Sequence, residues 1–155
     1  MLERMAVAVF KEPHIEGTAT VVSTSAGVRI RAEFTKLPVG KHGFHIHRAG
    51  DLRGEGCKGA CSHWHVGPPS IHGDRPHGSS TEDRHTGDLG NIEVKGTTKS
   101  VYTYNLKGVK PADLWGRALI VHADEDDLGK GPFEDSLITG HSGARIGCAL
   151  FGRSL

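Results

Sequence analysis

His45 and His47 stand two apart in the run Gly43-Phe-His-Ile-His47, which alternates as a strand does. Residues two apart on a strand project from one face, roughly 7 Å from each other, so both imidazoles can close on a single ion. Such a pair alone is weak evidence. His122 ends a second strand-like run and would add a third nitrogen if that strand lies alongside. His85 and Asp88 form a His-x-x-Asp pair, with His63 and His77 upstream in the same glycine-rich stretch. Three imidazoles with one carboxylate suit zinc, whereas an all-imidazole set suits copper.

Eleven histidines in 155 residues are the one odd feature of the composition, and most fall between His42 and His85. A purification tag would be a contiguous terminal run; an interior, irregularly spaced set reads as a metal-binding tract. The formal net charge is +1, which gives no reason to expect nucleic acid or an anionic membrane as a partner. No apolar run reaches membrane-spanning length, and Met1-Leu2-Glu3-Arg4 carries charge where a leader would be apolar, so a soluble, cytoplasmic protein is expected. Three cysteines are too few for a secreted disulfide scaffold and, taken alone, read as reduced thiols.

What must position these residues is a set of short strands. Period-two patterns run through Ala6–Phe10, Thr18–Val22, Val28–Phe34, Gly43–His47, Asn91–Val94, Ser100–Tyr104, Arg117–His122 and Arg145–Phe151. With 22 glycines and 7 prolines punctuating them, the reading is all-β: an eight-stranded antiparallel Greek-key sandwich or barrel, immunoglobulin-like, in one domain over residues 1–155. A single turn of helix is allowed at Ser136–Thr139. Two long irregular segments, Arg48–Asp88 and Ala123–Ala144, are expected to be functional loops, because they hold the histidines and aspartates.

Four ordered motifs carry a specific resemblance: Gly43-Phe-His-Ile-His47, Arg84-His-Thr-Gly-Asp-Leu-Gly-Asn91, Val121-His-Ala-Asp-Glu-Asp-Asp-Leu-Gly-Lys-Gly131 and Gly143-Ala-Arg-Ile-Gly-Cys148. Together they resemble the copper/zinc superoxide dismutase family across nearly the whole chain. The resemblance implies an oxidoreductase converting superoxide to oxygen and hydrogen peroxide at a His-bound copper, with a structural zinc. Carried over residue by residue, it implies copper ligands His45, His47, His63 and His122, and zinc ligands His63, His77, His85 and Asp88, with His63 shared. Asp126 resembles the aspartate that hydrogen-bonds one ligand of each metal, fixing tautomers and ring orientation. His65 competes with His63 for the bridge; the interval from Cys57 favours His63. His72 competes with His77 for zinc; the spacing to Arg84-His85 favours His77.

Cys57 and Cys148 resemble the family's intrasubunit disulfide, leaving Cys61 over as a buried free thiol or a rival partner for Cys148. Arg145 resembles the arginine beside the copper channel, where a fixed guanidinium attracts a small anion; Thr139 resembles a residue that narrows it. Ile138 stands where the family often has a lysine, with Glu134 and Asp135 kept, so weaker long-range attraction is expected. The resemblance also implies a homodimer with Gly50, Trp115, Gly116 and Phe151 near its contact, and a copper chaperone as a further candidate partner. The alternative is a non-enzymatic copper-binding or copper-donor module of the same fold.

Overall fold

The structure, a computed structural model, describes residues 5–54, 57–66, 85–96 and 99–154. All eight expected strands are present: β1 Met5–Glu12, β2 Ile15–Ser23, β3 Gly27–Lys36, β4 Gly40–His47, β5 Asp88–Val94, β6 Ser100–Lys107, β7 Ala118–His122 and β8 Arg145–Leu150. A ninth, β9 Gly152–Ser154, pairs with β1; three residues are too few to show a period. They form two antiparallel sheets, in the orders β6-β3-β2-β1-β9 and β5-β4-β7-β8. The chain leaves the first sheet for β4 and β5, returns for β6 beside β3, then crosses again for β7 and β8. This is the Greek-key path expected, built as a sandwich rather than a closed barrel.

The pattern of each strand follows its surroundings. In β3, Val28, Ile30, Ala32 and Phe34 are buried while Arg29 and Arg31 face water, the signature of a sheet with one wet face. Phe10, Phe34 and Phe44 interlock between the sheets, the latter pair with ring centroids 5.9 Å apart and edge-to-face at 73°. Among the described residues helix is confined to single turns: a 3-10 turn at Lys58–Ala60 and the α-helical turns α1 Pro111–Leu114 and α2 Ser136–Thr139. The turn α2 matches expectation. The turn α1 is additional, and its signal was the proline at the first helical position.

β4 and β7 depart from alternation. Every residue from His42 to His47 and from Ala118 to His122 is buried. One face, with Phe44, Ile46, Leu119 and Val121, packs into the core. The other is covered by the segments after β4 and after β7, which is where the expected functional loops lie. Asp88, expected at the end of the first loop, is already the first residue of β5.

Candidate metal centre

Strand pairing alone brings the distant histidines together. His45 lies opposite Ile120 and His47 opposite Ala118, so β4 and β7 run side by side beneath the loops. Irregularities between Gly43 and His45, and between Val121 and His122, re-aim side chains as bulges beside active sites do. His63 is held by a β-bridge to His47, and Trp64 N–H donates to Ile46 O at 2.8 Å. As a result the donor atoms of His45, His47, His63 and His122, all buried, lie within 4.8 Å of one another.

The hydrogen bonds fix which nitrogens point inward. His47 Nδ1–H donates to Cys61 O at 2.8 Å and His122 Nδ1–H to Gly143 O at 3.1 Å, which leaves Nε2 as the lone-pair nitrogen of each ring. Those two Nε2 atoms are 3.3 Å apart. Burial above all, then the neighbouring His63, drives His47 down to about 2, against the opposing pull of the Cys61 carbonyl. His47 is therefore neutral at neutral pH, and its Nε2 can offer a lone pair toward a cation. His45 Nε2–H donates to Asp126 Oδ2 at 2.8 Å, so this ring offers Nδ1. Four buried imidazoles are a donor set that fits copper.

A second group adjoins the first. His63, His85 and Asp88 also place donor atoms within 4.8 Å. His63 Nδ1 is 2.7 Å from Asp88 Oδ1, and Asp88 Oδ2 accepts from His85 N–H at 3.0 Å while lying 3.3 Å from His85 Nδ1. Asp88 is itself the cross-strand partner of His45. Two imidazoles and a carboxylate fit zinc, with room in the set for one more ligand. His72 and His77 lie outside the described residues. His65 is not in either group, although its ring centroid is 5.8 Å from that of His85; His63 is the residue common to both.

Supporting contacts hold this frame. Asp126 Oδ1 accepts from Leu128 N–H at 2.8 Å, and Asn91 clasps the Asp126 backbone with bonds of 2.8 and 2.7 Å. His42, not singled out from the sequence, is buried with Nδ1 2.9 Å from His122 O and Nε2 2.9 Å from Pro38 O, bracing β4 against the end of β7. No spacing rule distinguishes it from a ligand; only the two carbonyls do.

Cys57 and Cys148 form a disulfide, and Cys61 is an exposed free thiol. Arg145, on the same strand as Cys148, donates to Cys57 O at 2.8 Å, Lys58 O at 3.3 Å and Cys61 O at 2.5 Å. Burial lowers its guanidinium from the ordinary arginine value. A cavity of about 440 Å³ opens over the quartet, lined by His47, His63, His122, Arg145, Asp135 and Thr139 among others. The Arg145 guanidinium at one wall is a group that can attract and orient a small anion.

A Greek-key sandwich in which one imidazole belongs to both an all-nitrogen donor set and a mixed nitrogen–oxygen set offers a candidate centre for two metal ions. Comparison with known proteins gives the family. The profile described as copper/zinc superoxide dismutase (SODC) matches residues 15–151. A superoxide dismutase [Cu-Zn] of Paramecium bursaria Chlorella virus 1 is 42% identical over 95% of this chain and 77% of its own length. That of Neurospora crassa is 46% identical over 76% of this chain and 74% of its own, and an extracellular superoxide dismutase [Cu-Zn] of Haemonchus contortus is 40% identical over 88% and 73%. Among solved structures, the clock protein EA4 superposes with a TM-score of 0.78 at 32% identity, covering 96% of this chain and 93% of the other. The chain belongs to the copper/zinc superoxide dismutase family. It is an oxidoreductase that acts on superoxide with copper and zinc.

Proposed function

We propose that His45, His47, His63 and His122 hold copper, that His63, His85, Asp88 and His77 hold zinc, and that Arg145 and His63 carry the chemistry. When bound, copper supplies one-electron exchange with superoxide and zinc keeps the shared ring in place and tunes its basicity. The protein does the rest. Arg145, its guanidinium fixed by three carbonyls, draws the anion in and orients it. Nδ1 of His63 is engaged with Asp88, so Nε2 is the nitrogen offered to the quartet and the place where a proton can be stored for the peroxide product. Asp126 keeps His45 in one tautomer, and the loops exclude bulk water.

The observation that carries this reading is that His63 belongs to both donor groups. It is tested by metal analysis and electron paramagnetic resonance of the doubly loaded protein. A bridged copper–imidazole–zinc signature that disappears in His63→Ala, and persists in His65→Ala, is the expected result; the reverse pattern overturns it. A non-enzymatic copper donor would be expected to have lost a ligand or the arginine, and neither loss is found here.

We further read the protein as a homodimer. Leu150 is 43% exposed on β8 and Ile146 36%, both on one face by strand alternation, and a Cβ at Gly50 would meet both Leu150 Cδ2 and Gly116 O; these exposed apolar side chains support a contact with a second copy. Phe151, expected near that contact, is a core residue. Leu150→Glu should give a monomer by analytical ultracentrifugation; an unchanged mass would remove the patch from the account. We place the protein in the cytoplasm because the exposed thiol of Cys61 is best preserved in a reducing compartment; recovery from a secreted fraction would reverse that. Delivery of copper by a chaperone rests on the family resemblance, and complete activation by copper salt alone would make it unnecessary.

A further inference from the structure

Ser142 lines the cavity over the quartet, beside His47, His63, His122 and Arg145. It is fully buried, and its Oγ has no hydrogen-bond partner among the described residues. A buried serine hydroxyl ordinarily bonds a nearby backbone group; this one does not. The backbone around it is pinned all the same. Ser142 O accepts from Asp124 N–H at 2.9 Å, and Asp124 O accepts from Gly43 N–H at 2.9 Å.

Gly43 shows where the hydroxyl lies. A Cβ built on Gly43 would collide with Ser142 Oγ, and would lie 2.8 Å from Ser142 Cβ and 3.0 Å from His45 Cε1. The hydroxyl thus fills the space that a side chain at position 43 would need, next to the ring of a quartet ligand. Glycine at 43 makes that placement possible. Ser142 belongs to neither donor group, and a neutral hydroxyl is not among the ligands that zinc sites ordinarily use. A buried polar group is costly unless something bonds it, and the cavity is the side from which a partner can come.

We propose that Ser142 is a substrate-contacting residue, its hydroxyl donating a hydrogen bond to an oxygen of superoxide over the quartet. The inference rests on the dismutase reading and adds to it a second anchor beside Arg145. A donor held in place by backbone, in a site largely closed to water, needs no rearrangement when the anion arrives. The two anchors differ in range. The guanidinium attracts over distance and is screened by salt, whereas the hydroxyl acts only at contact.

The experiment compares the copper- and zinc-loaded parent protein with Ser142→Ala at low and high salt. It measures kcat/KM for superoxide, and azide affinity by optical titration. Both quantities should fall roughly three- to tenfold in the variant, by the same factor at each salt concentration, with metal content equal to the parent's. Urea midpoints of the metal-free proteins give a readout that a structural hydroxyl would move the other way. Since Ser142 Oγ bonds nothing in the protein, Ser142→Ala should be as stable as the parent or more so. Parent-like azide affinity and kcat/KM overturn the proposal. So does a lower urea midpoint or a loss of copper, either of which assigns the hydroxyl to the frame. Absence of dismutase activity in the parent protein, with azide affinity still dependent on Ser142, would instead remove the reading beneath it.

Discussion

His122 and Arg145 are cross-strand partners at the ends of β7 and β8, so a ligand of the quartet and the cation that faces its cavity are positioned by the same ladder. The arginine is aimed by backbone, not by a neighbouring carboxylate: three carbonyls of the segment from Cys57 to Cys61 accept its donors. One of them, Cys61 O, also accepts from His47.

Replacing Arg145 by alanine should therefore leave the quartet in place while removing the attraction. Dismutation is expected to fall about ten- to a hundredfold at low salt and to lose most of its ionic-strength dependence, with copper content unchanged. A rate and salt response equal to those of the parent protein, read by pulse radiolysis, would show that the guanidinium does not steer.

The Cys57–Cys148 bond closes a loop of 91 residues and anchors the carbonyls that hold Arg145. In the chain-entropy account, the double change Cys57→Ser with Cys148→Ser should cost about 4 to 5 kcal/mol, seen as a lower denaturant midpoint. Activity of the remaining folded, metal-loaded fraction should fall as well, because the arginine loses a fixed platform. If stability drops with activity per copper intact, the platform role is refuted.

Asp126 accepts a hydrogen bond from His45. Asp126→Ala should weaken copper binding about ten- to a hundredfold, measured by competition with a chelator. Asp126→Asn should be milder on stability yet still impaired, since the amide can offer a donor where the ring nitrogen needs an acceptor. Parent-like copper affinity in both would mean that His45 is oriented by packing alone.

Acid should destabilise the metal-free protein. His47 is lowered to about 2 by burial first and His63 next, so below the ordinary histidine value near 6.5 the unfolded chain takes up a proton that the folded chain does not. Stability contributed by this neutral ring is complete above about pH 6.5 and is lost as pH falls toward 2, at up to about 1.4 kcal/mol per pH unit. Urea midpoints of the metal-free protein at successive pH values test this; a flat profile through the histidine range would contradict it.

Much of this was legible beforehand because strands announce themselves by alternation. His45 and His47 share a face whatever their surroundings, and the eight strands around them were located from period alone. The zinc side was harder to read. In a long glycine-rich segment no period relates side chains to one another, so His63 and His65, or His72 and His77, differ only in interval. The β-bridge from His63 to His47 settles which of the first two meets the quartet, and that pairing is non-local. His42 and Asn91 escaped notice for the same reason: their partners, the His122 carbonyl and the Asp126 backbone, are 80 and 35 residues away.

Trp64, flanked by two histidines, is 4% exposed and packs into the main core, with the Arg117 guanidinium 4.7 Å from its ring. Because neighbours on an extended segment point to opposite sides, a shift of one position would push an imidazole into the oily interior and expel the indole into the metal pocket. The bulky ring thus works as a locating peg. It fixes which of the two flanking histidines, His63 rather than His65, faces the quartet.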